Sequence, residues 1–355
     1  MSRGRWLCLA WLCWLPACGG HALDLDQHAA PPSLSGSAPE PDPNVETLPL
    51  PDTISNFWVD DARVYWSATT GQLRSCEFDD CAATQVTYGQ SNGPIAIGEN
   101  QLVFSEGWRS DILITCAKSG CDGTRSQVLR EERSPFLFAV DAAYVYWIST
   151  FDIFRCPLEH CGEIPEIVAA NQSAGGALLV QGLSAYWAAS EPENPSVQIR
   201  TAPVDGSLPP RTIVTKDASR LYSPGREFAI DATSVYWLDS SFHVRSCPLT
   251  GCGNSEPATL VTTDTGKRDI LVDASGIYWL ESSTSPEDYG PGSVRFCPLR
   301  GCEGNSTPQT LAANKVNYFQ VDSSYVYWDQ VDLKQQTANG LLLDEFIQRT
   351  KKPLP

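Results

Sequence analysis

The chain predicts an all-β fold, a seven-bladed β-propeller of four-stranded blades, and three observations lead there. A Tyr-Trp pair recurs at Tyr65-Trp66, Tyr146-Trp147, Tyr186-Trp187, Tyr236-Trp237, Tyr278-Trp279 and Tyr327-Trp328. A degenerate copy at Val103-Phe104 brings the count to seven, with neighbours 38 to 50 residues apart. A period of this length, made of short strands and turns with no helical pattern, marks propeller blades rather than a helical solenoid, and the count selects seven blades over six or eight. Finally, the run before and through each anchor is apolar at every position, as in the VYWL of residues 235–238. A strand of that kind is buried on both faces, which a blade wedged between two others provides.

Residues 228–253, FAIDATSVYWLDSSFHVRSCPLTGCG, show the unit most clearly. Strands are expected over 228–230, 235–239, 243–247 and 258–262, separated by Asp, Ser, Thr, Pro and Gly turns. The first turn carries a recurring acid, Asp60, Asp141, Asp231, Asp273 or Asp322, shortly before its Tyr. Its place at a strand end suits an Asx-turn, the carboxylate accepting from backbone amides just ahead of it. The fourth strands over 213–215, 259–261 and 310–312 share their form with residues 46–50, which nothing precedes. The seventh copy lacks a fourth strand of its own, so the N-terminal strand is expected to complete it and leave no edge open. Its third strand is expected over 341–346, with a short helix over 341–348 as the alternative. The propeller is thus drawn over 45–350, with a frayed tail from 349 or 351 to 355.

The N-terminus reads as a leader over residues 1–17. Arg3 and Arg5 precede an apolar run over 6–15, too short to span a bilayer. Leu15-Pro16-Ala17-Cys18 resembles the lipobox of bacterial lipoproteins. That resemblance implies a diacylated Cys18 and, from Gly19 rather than Asp after it, sorting to the outer membrane. Pro16 departs from the pattern, and Gly20-His21-Ala22 offers cleavage after Ala22 instead. Residues 18–44, rich in Pro, Ser and Ala, form a tether with a reach of roughly 28 Å. The composition of the 355 residues, 42% apolar and 19% charged, is that of a folded chain, and a formal charge of −17 opposes a nucleic-acid partner or adsorption to anionic lipid.

Ten cysteines beyond the leader share one spacing: Cys76 with Cys81, Cys116 with Cys121, Cys156 with Cys161, Cys247 with Cys252, and Cys297 with Cys302. Each pair straddles the turn between third and fourth strands, so disulfides across a four-residue loop are expected in an exported protein. Zinc would need four ligands at one point, whereas these pairs belong to separate blades. Blade 4 has no such pair.

No phosphate loop, zinc helix or nucleophile elbow appears. The propeller's two histidines, His160 and His243, fall in expected surface turns and read as exposed polar residues. No catalytic residue, cofactor or metal is therefore assigned. The long insertions at 190–196, 216–226, 282–292 and 330–340 leave one face, and the Asp and disulfide turns leave the other. Loops that vary on a repeating scaffold are where binding is expected. The candidates are the acidic Glu191, Glu193, Glu287 and Asp288, the aromatic Tyr289, and Arg220, Tyr222 and Arg226 nearby.

The Tyr-Trp anchor, the apolar-Asp turn before it and the repeat length resemble the YWTD class of propellers in lipoprotein-receptor ectodomains and related propeller lipoproteins of bacterial envelopes. The resemblance covers about residues 45–350, with Trp237-Leu238-Asp239 nearest to the motif, and the count is seven rather than six. It implies a fold more than a function. The leading expectation is an exported, lipid-anchored, monomeric binding or scaffold module whose ligand is protein or carbohydrate and whose membrane contact is the anchor alone. The alternatives are a carbohydrate lyase or hydrolase using carboxylates at the propeller mouth, and a purely structural envelope protein.

Overall fold

The computed structural model describes residues 43–353, except 92, 94, 107–111, 131–136, 150, 160, 162–163, 192–193, 219–225, 227, 240, 254, 263–265, 283–291, 303–306 and 338–339. After β1 (Val45–Leu48), blade 1 is β2 (Ile54–Val59), β3 (Arg63–Ala68), β4 (Gln72–Glu77) and β5 (Val86–Gln90). Blade 2 is β6 (Ile95–Ile97), β7 (Gln101–Glu106), β8 (Ile112–Ala117) and β9 (Ser126–Arg130). Blade 3 is β10 (Leu137–Val140), β11 (Tyr144–Ser149), β12 (Asp152–Pro157) and β13 (Glu166–Ala169). Blade 4 is β14 (Ala174–Gln181), β15 (Ser184–Glu191), β16 (Asn194–Pro203) and β17 (Arg211–Ala218). Blade 5 is β18 (Phe228–Ile230), β19 (Ser234–Leu238), β20 (Val244–Pro248) and β21 (Ala258–Val261). Blade 6 is β22 (Lys267–Val272), β23 (Ile277–Ser282), β24 (Gly292–Cys297) and β25 (Gln309–Val316). Blade 7 is β26 (Phe319–Val321), β27 (Tyr325–Thr337) and β28 (Gly340–Lys351), with β1 as its fourth strand. Every sheet is antiparallel and four-stranded, and the described residues contain no helix. The fold is a seven-bladed propeller.

The double burial of the anchor strand follows from strand geometry, in which successive side chains point to opposite faces. Trp237 enters an apolar cluster with Tyr186 and Val214 of blade 4, while Tyr236 enters another with Ile270 and Trp279 of blade 6. Each of the seven blade boundaries holds one such cluster. Blade 2 substitutes Val103 and Phe104, both fully buried, in the same places.

The Asp turn does more than cap its own backbone. Asp231 Oδ1 accepts from the amides of Thr233 (2.7 Å) and Ser234 (2.8 Å), and Oδ2 accepts from the Tyr236 hydroxyl at 2.6 Å. The same phenol bond joins Asp60 to Tyr65 (3.0 Å), Asp141 to Tyr146 (2.6 Å) and Asp322 to Tyr327 (2.5 Å). One carboxylate thus ties the turn to the anchor strand five residues on. Where the acid is missing, the lock changes: blade 2 has Gly98 with Val103, and blade 4 has Gln181 with Tyr186. Burial pushes the Asp231 carboxyl up, but the Tyr236 hydroxyl and the two amides outweigh it and hold the group below its ordinary range. Burial and the hydrogen bond to Asp231 push the Tyr236 phenol up to about 12.

Ring closure follows the expected plan. β1 pairs with β28 from Val45↔Thr350 to Leu48↔Ile347, Arg349 Nε donates to Glu46 at 2.8 Å, and the guanidinium stacks 4.4 Å over Tyr325. Leu48 and Ile347 join Phe57 and Trp66 in the cluster between blades 7 and 1. The third strand expected over 341–346 lies within β28, and the alternative helix over 341–348 is not formed. Beyond β28, Lys352 N donates to Ser324 O at 2.9 Å and its ammonium pairs with Asp273 of blade 6. These contacts carry the chain on the propeller through residue 352.

The five cysteine pairs are bonded, with Cα separations of 4.7 to 5.7 Å. Cys76, Cys116, Cys156, Cys247 and Cys297 are buried, so each staple begins inside a boundary cluster. The expected partners are less uniform than the spacing implies. Cys81 is bonded to Cys76 and Cys161 to Cys156, and both partners are buried in the same clusters. Cys121, bonded to Cys116, Cys252, bonded to Cys247, and Cys302, bonded to Cys297, are only half-buried at the edges of theirs. Each staple therefore ties the outer turn to the core of a blade boundary. The turn between the cysteines needs Gly301 in blade 6. Its φ is +88°, and a Cβ there would meet Leu260 O at 2.5 Å.

Candidate functional site at the channel mouth

In a four-stranded antiparallel blade, the turns after the first and third strands leave one end and the turn after the second strand and the crossover to the next blade leave the other. The first end forms a locked face. There Arg63 Nη2 donates to Thr84 O (2.7 Å), the Tyr88 hydroxyl donates to Lys118 O (2.5 Å), and Lys118 Nζ reaches Asp60 of the preceding blade at 2.8 Å.

The other end is the loop face. Two of its insertions are ribbons instead of irregular loops. The β15–β16 ladder continues to Glu191↔Asn194, and that of β27–β28 to Thr337↔Gly340. Each is the blade's own hairpin prolonged past the core, which alternation of polar residues over 330–340 did not announce. The side chains of Glu191, Glu193, Arg220, Tyr222, Glu287, Asp288 and Tyr289 lie outside the described residues, as do Cys18 and His160. Arg226 is described.

Arg226 precedes β18 in blade 5, yet its side chain ends on blade 7. Nη1 donates to Phe319 O and Nη2 to the Tyr318 hydroxyl, each at 2.5 Å, and the guanidinium lies 4.1 Å over the Tyr318 ring. Gln320 Nε2 donates to the same hydroxyl (2.9 Å) and to Phe57 O of blade 1 (3.3 Å). A polar chain therefore crosses the mouth from blade 5 to blade 7 to blade 1. Asp329 Oδ1 accepts from the amides of Tyr318 (2.7 Å) and Asn317 (2.8 Å) and so fixes the crossover that carries Tyr318. Burial raises the Asp329 carboxyl more than those amides lower it, and burial raises the Tyr318 phenol against the pull of Arg226. Beside Arg226 opens a cavity of about 300 Å³, walled by residues 179–181, 228–230 and 270–272 of three consecutive inner strands. Deeper along the inner strands, seven β-branched residues occupy equivalent places: Val59, Ile97, Val140, Val180, Ile230, Val272 and Val321. The arrangement offers a fixed guanidinium at the rim of a largely apolar cavity.

Backbone strain falls on this face. The described non-glycine residues with positive φ are Asn171 (56°), Ser173 (46°), Phe242 (63°) and Asp269 (52°); the first two lie in the crossover to blade 4, Phe242 in a second-to-third-strand turn, and Asp269 at the register shift near the start of β22. Such conformations are uncommon and concentrate at sites of recognition and catalysis.

The acids here are engaged in structure. Asp239, 6% exposed, accepts from Ser241 N, His243 N and Arg245 Nε at 2.8 to 2.9 Å. Burial pushes its carboxyl up, but Arg245 and the two amides outweigh it and hold it low. His243, expected as an exposed turn residue, is instead half-buried with Nδ1 3.3 Å from Asp239 Oδ2. Among the described residues no three of His, Cys, Asp and Glu gather to hold a metal.

The cysteines named from the sequence take no part in the mouth. Cys81, Cys121, Cys161, Cys252 and Cys302 sit in the turns after the third strands, and their partners Cys76, Cys116, Cys156, Cys247 and Cys297 end or follow those strands. All ten therefore belong to the locked face and staple it.

Sequence reasoning missed an apolar patch on the locked face. Ile164 (83% exposed), Ile167, Leu183 (82%) and Leu208 surround the boundary of blades 3 and 4, where Val204 N donates to Leu183 O and Gly206 lies against Ile167 O. The signal was present: blade 4 lacks both the turn acid and the cysteine pair.

No family model and no curated protein matches the chain. Solved structures do, as folds. BamB from Moraxella catarrhalis is 14% identical over 84% of this chain and 85% of its own, with a TM-score of 0.51. YCF48 from Cyanidioschyzon merolae is 12% identical over 86% and 98%, with a TM-score of 0.56. A structure of YCF48 bound to D1 peptide is 11% identical over 87% and 94%, with a TM-score of 0.53. At these identities the likeness is one of fold, and it agrees with a β-propeller.

Proposed function

We propose that the chain is an exported, lipid-anchored propeller of the YWTD-like kind that binds another polypeptide through its loop face. The observation that carries this reading is Arg226. A guanidinium held in place by stacking and two hydrogen bonds stands at the rim of an apolar cavity, on the face with the ribbons and the strained turns. An oriented cation beside apolar wall suits an extended segment that offers a carboxylate or carbonyl next to an apolar side chain. The D1 peptide bound by YCF48 gives precedent for peptide binding on this fold. Attachment through Cys18 at the outer membrane rests on the leader and the lipobox-like residues 15–18, and the five staples suit an oxidising compartment.

Two experiments test it. Envelope extract is passed over immobilised wild type and over a variant lacking residues 283–290. A partner retained by the first and lost by the second supports the reading, and equal recovery of every bound protein refutes it. Mass spectrometry of the mature N-terminus is expected to show diacyl-Cys18, and a free terminus at Leu23 excludes the anchor.

A further inference from the structure

Blade 1 departs from the other six at its inner strand. Opposite the Tyr of the anchor, the other blades carry Ala96, Ala139, Leu179, Ala229, Leu271 and Gln320, whereas blade 1 carries Trp58. Two residues earlier the ladder slips between Ile54 and Asn56, leaving Ser55 as an extra residue. Bulges of this kind re-aim side chains. The result is a cavity of about 380 Å³ on the loop face, between the end of blade 1 and the crossover to blade 2, within the range of roughly 300–1,000 Å³ typical of small-molecule sites.

Its described lining is Trp58, Asn56, Ser55, Ser67, Thr69, Thr70 and the small residues around them, with no charged residue among these. Ser67 is 6% exposed, and its Oγ has no hydrogen-bond partner, although buried hydroxyls are almost always bonded. Asn56 uses Oδ1 to accept from Phe57 N at 2.9 Å, which turns its two amide N–H donors to other use. Ser55 donates to Ser67 O at 3.0 Å and keeps its own lone pairs.

We propose that this cavity binds a neutral sugar. A sugar ring combines a face of C–H groups, which stacks on an indole, with a rim of hydroxyls that both donate and accept. Trp58 supplies the first surface, and the serine and threonine hydroxyls with the Asn56 amide supply the second. An aliphatic ligand would leave Ser67 and Asn56 unpaired, at a cost, and an anionic ligand would find no counter-charge. The site shares no lining residue with the cavity beside Arg226, and the inference does not rest on the polypeptide-binding reading.

The test is titration calorimetry of the purified mature protein with glucose, galactose, mannose, N-acetylglucosamine, maltose and lactose, and with glucuronate as the charged control. At least one neutral sugar is expected to bind saturably and glucuronate more weakly. Trp58→Leu installs the residue that blades 4 and 6 carry there, so the fold is kept while affinity falls by more than about tenfold. Ser67→Ala and Asn56→Ala each weaken binding by about 3- to 10-fold. Removing an unpaired buried hydroxyl leaves the melting point of Ser67→Ala unchanged or higher, separating lost affinity from lost stability. The proposal is overturned if no neutral sugar saturates, if glucuronate binds best, or if affinity is the same in Trp58→Leu and Ser67→Ala as in wild type.

Discussion

The two faces of this propeller are built on opposite rules. On the locked face the turns recur: in four blades an acid holds two amides and a phenol, and in five a disulfide closes the next turn. On the loop face turns differ in length from blade to blade, the described non-glycine strain is concentrated, and polar side chains bridge blades that are not neighbours. The difference teaches where the fold is specified and where it is spent. Most blades close the locked end with the same acid or disulfide latch, so the other end is free to vary, and variation there costs little stability.

The comparison can be broken most forcefully by reducing the disulfides. In the chain-entropy model each short loop contributes about 2 kcal/mol, so losing all five lowers stability by at most about 10 kcal/mol, read as a fall in denaturation midpoint. An unchanged midpoint would show that the locked face is not held by its staples. Next in size is Trp237→Ala, expected to cost about 3–5 kcal/mol because it opens a void in the cluster between blades 4 and 5. Asp231→Ala follows at about 1–3 kcal/mol, since a partly buried phenol and two amides lose their acceptor. The smallest effect belongs to the loop face: removing residues 283–290 is expected to shift stability by less than about 0.5 kcal/mol.

Acidification sharpens the contrast. Asp60 is pushed up by burial but held lower still by Lys118 and the amides of Ala62 and Arg63, and Asp231 is likewise depressed. A carboxyl whose folded pKa lies below the ordinary 3.8 stabilises the fold above that pH, and the stability is lost as pH falls through the folded value. Asp329 on the loop face has the opposite sign. Its raised pKa makes the ionised form a burden at neutral pH, relieved as the carboxyl protonates on the way down. Asp329→Asn should therefore hold or raise the neutral-pH melting point while Asp231→Asn lowers it; the reverse order contradicts the assignment. At the alkaline end, Tyr236 contributes stability that is complete below pH 10 and lost as pH rises toward about 12.

The ring was legible because its signal repeats. Tyr-Trp spacing located the blades, and residues 46–50 matched other fourth strands closely enough to foretell closure. The turn acids were legible as caps, but their bond to the phenol was not, since it depends on the anchor Tyr turning back over the turn. The cysteine spacing announced the staples, but not that Cys81 and Cys161 are buried while Cys121, Cys252 and Cys302 stand half in solvent, because the neighbouring blade decides that. Arg226 could be picked out as a basic residue in a long connection, yet its partners lie 92 and 93 residues away in blade 7. No local pattern encodes that contact. Trp58 read as one aromatic in an apolar run, and its meaning emerges when seven inner strands are set side by side. Lys352 is bound to an acid of blade 6 that lies 79 residues away, another contact that no local pattern encodes.

The central claim is that recognition belongs to the loop face and not to the locked one. Photo-crosslinking in intact cells tests it directly, with the reactive residue at position 289 in the 282–292 insertion or at position 208 in the patch on the locked face. The account predicts a crosslink to another polypeptide from position 289 and none from 208. Crosslinks from 208 alone would contradict it.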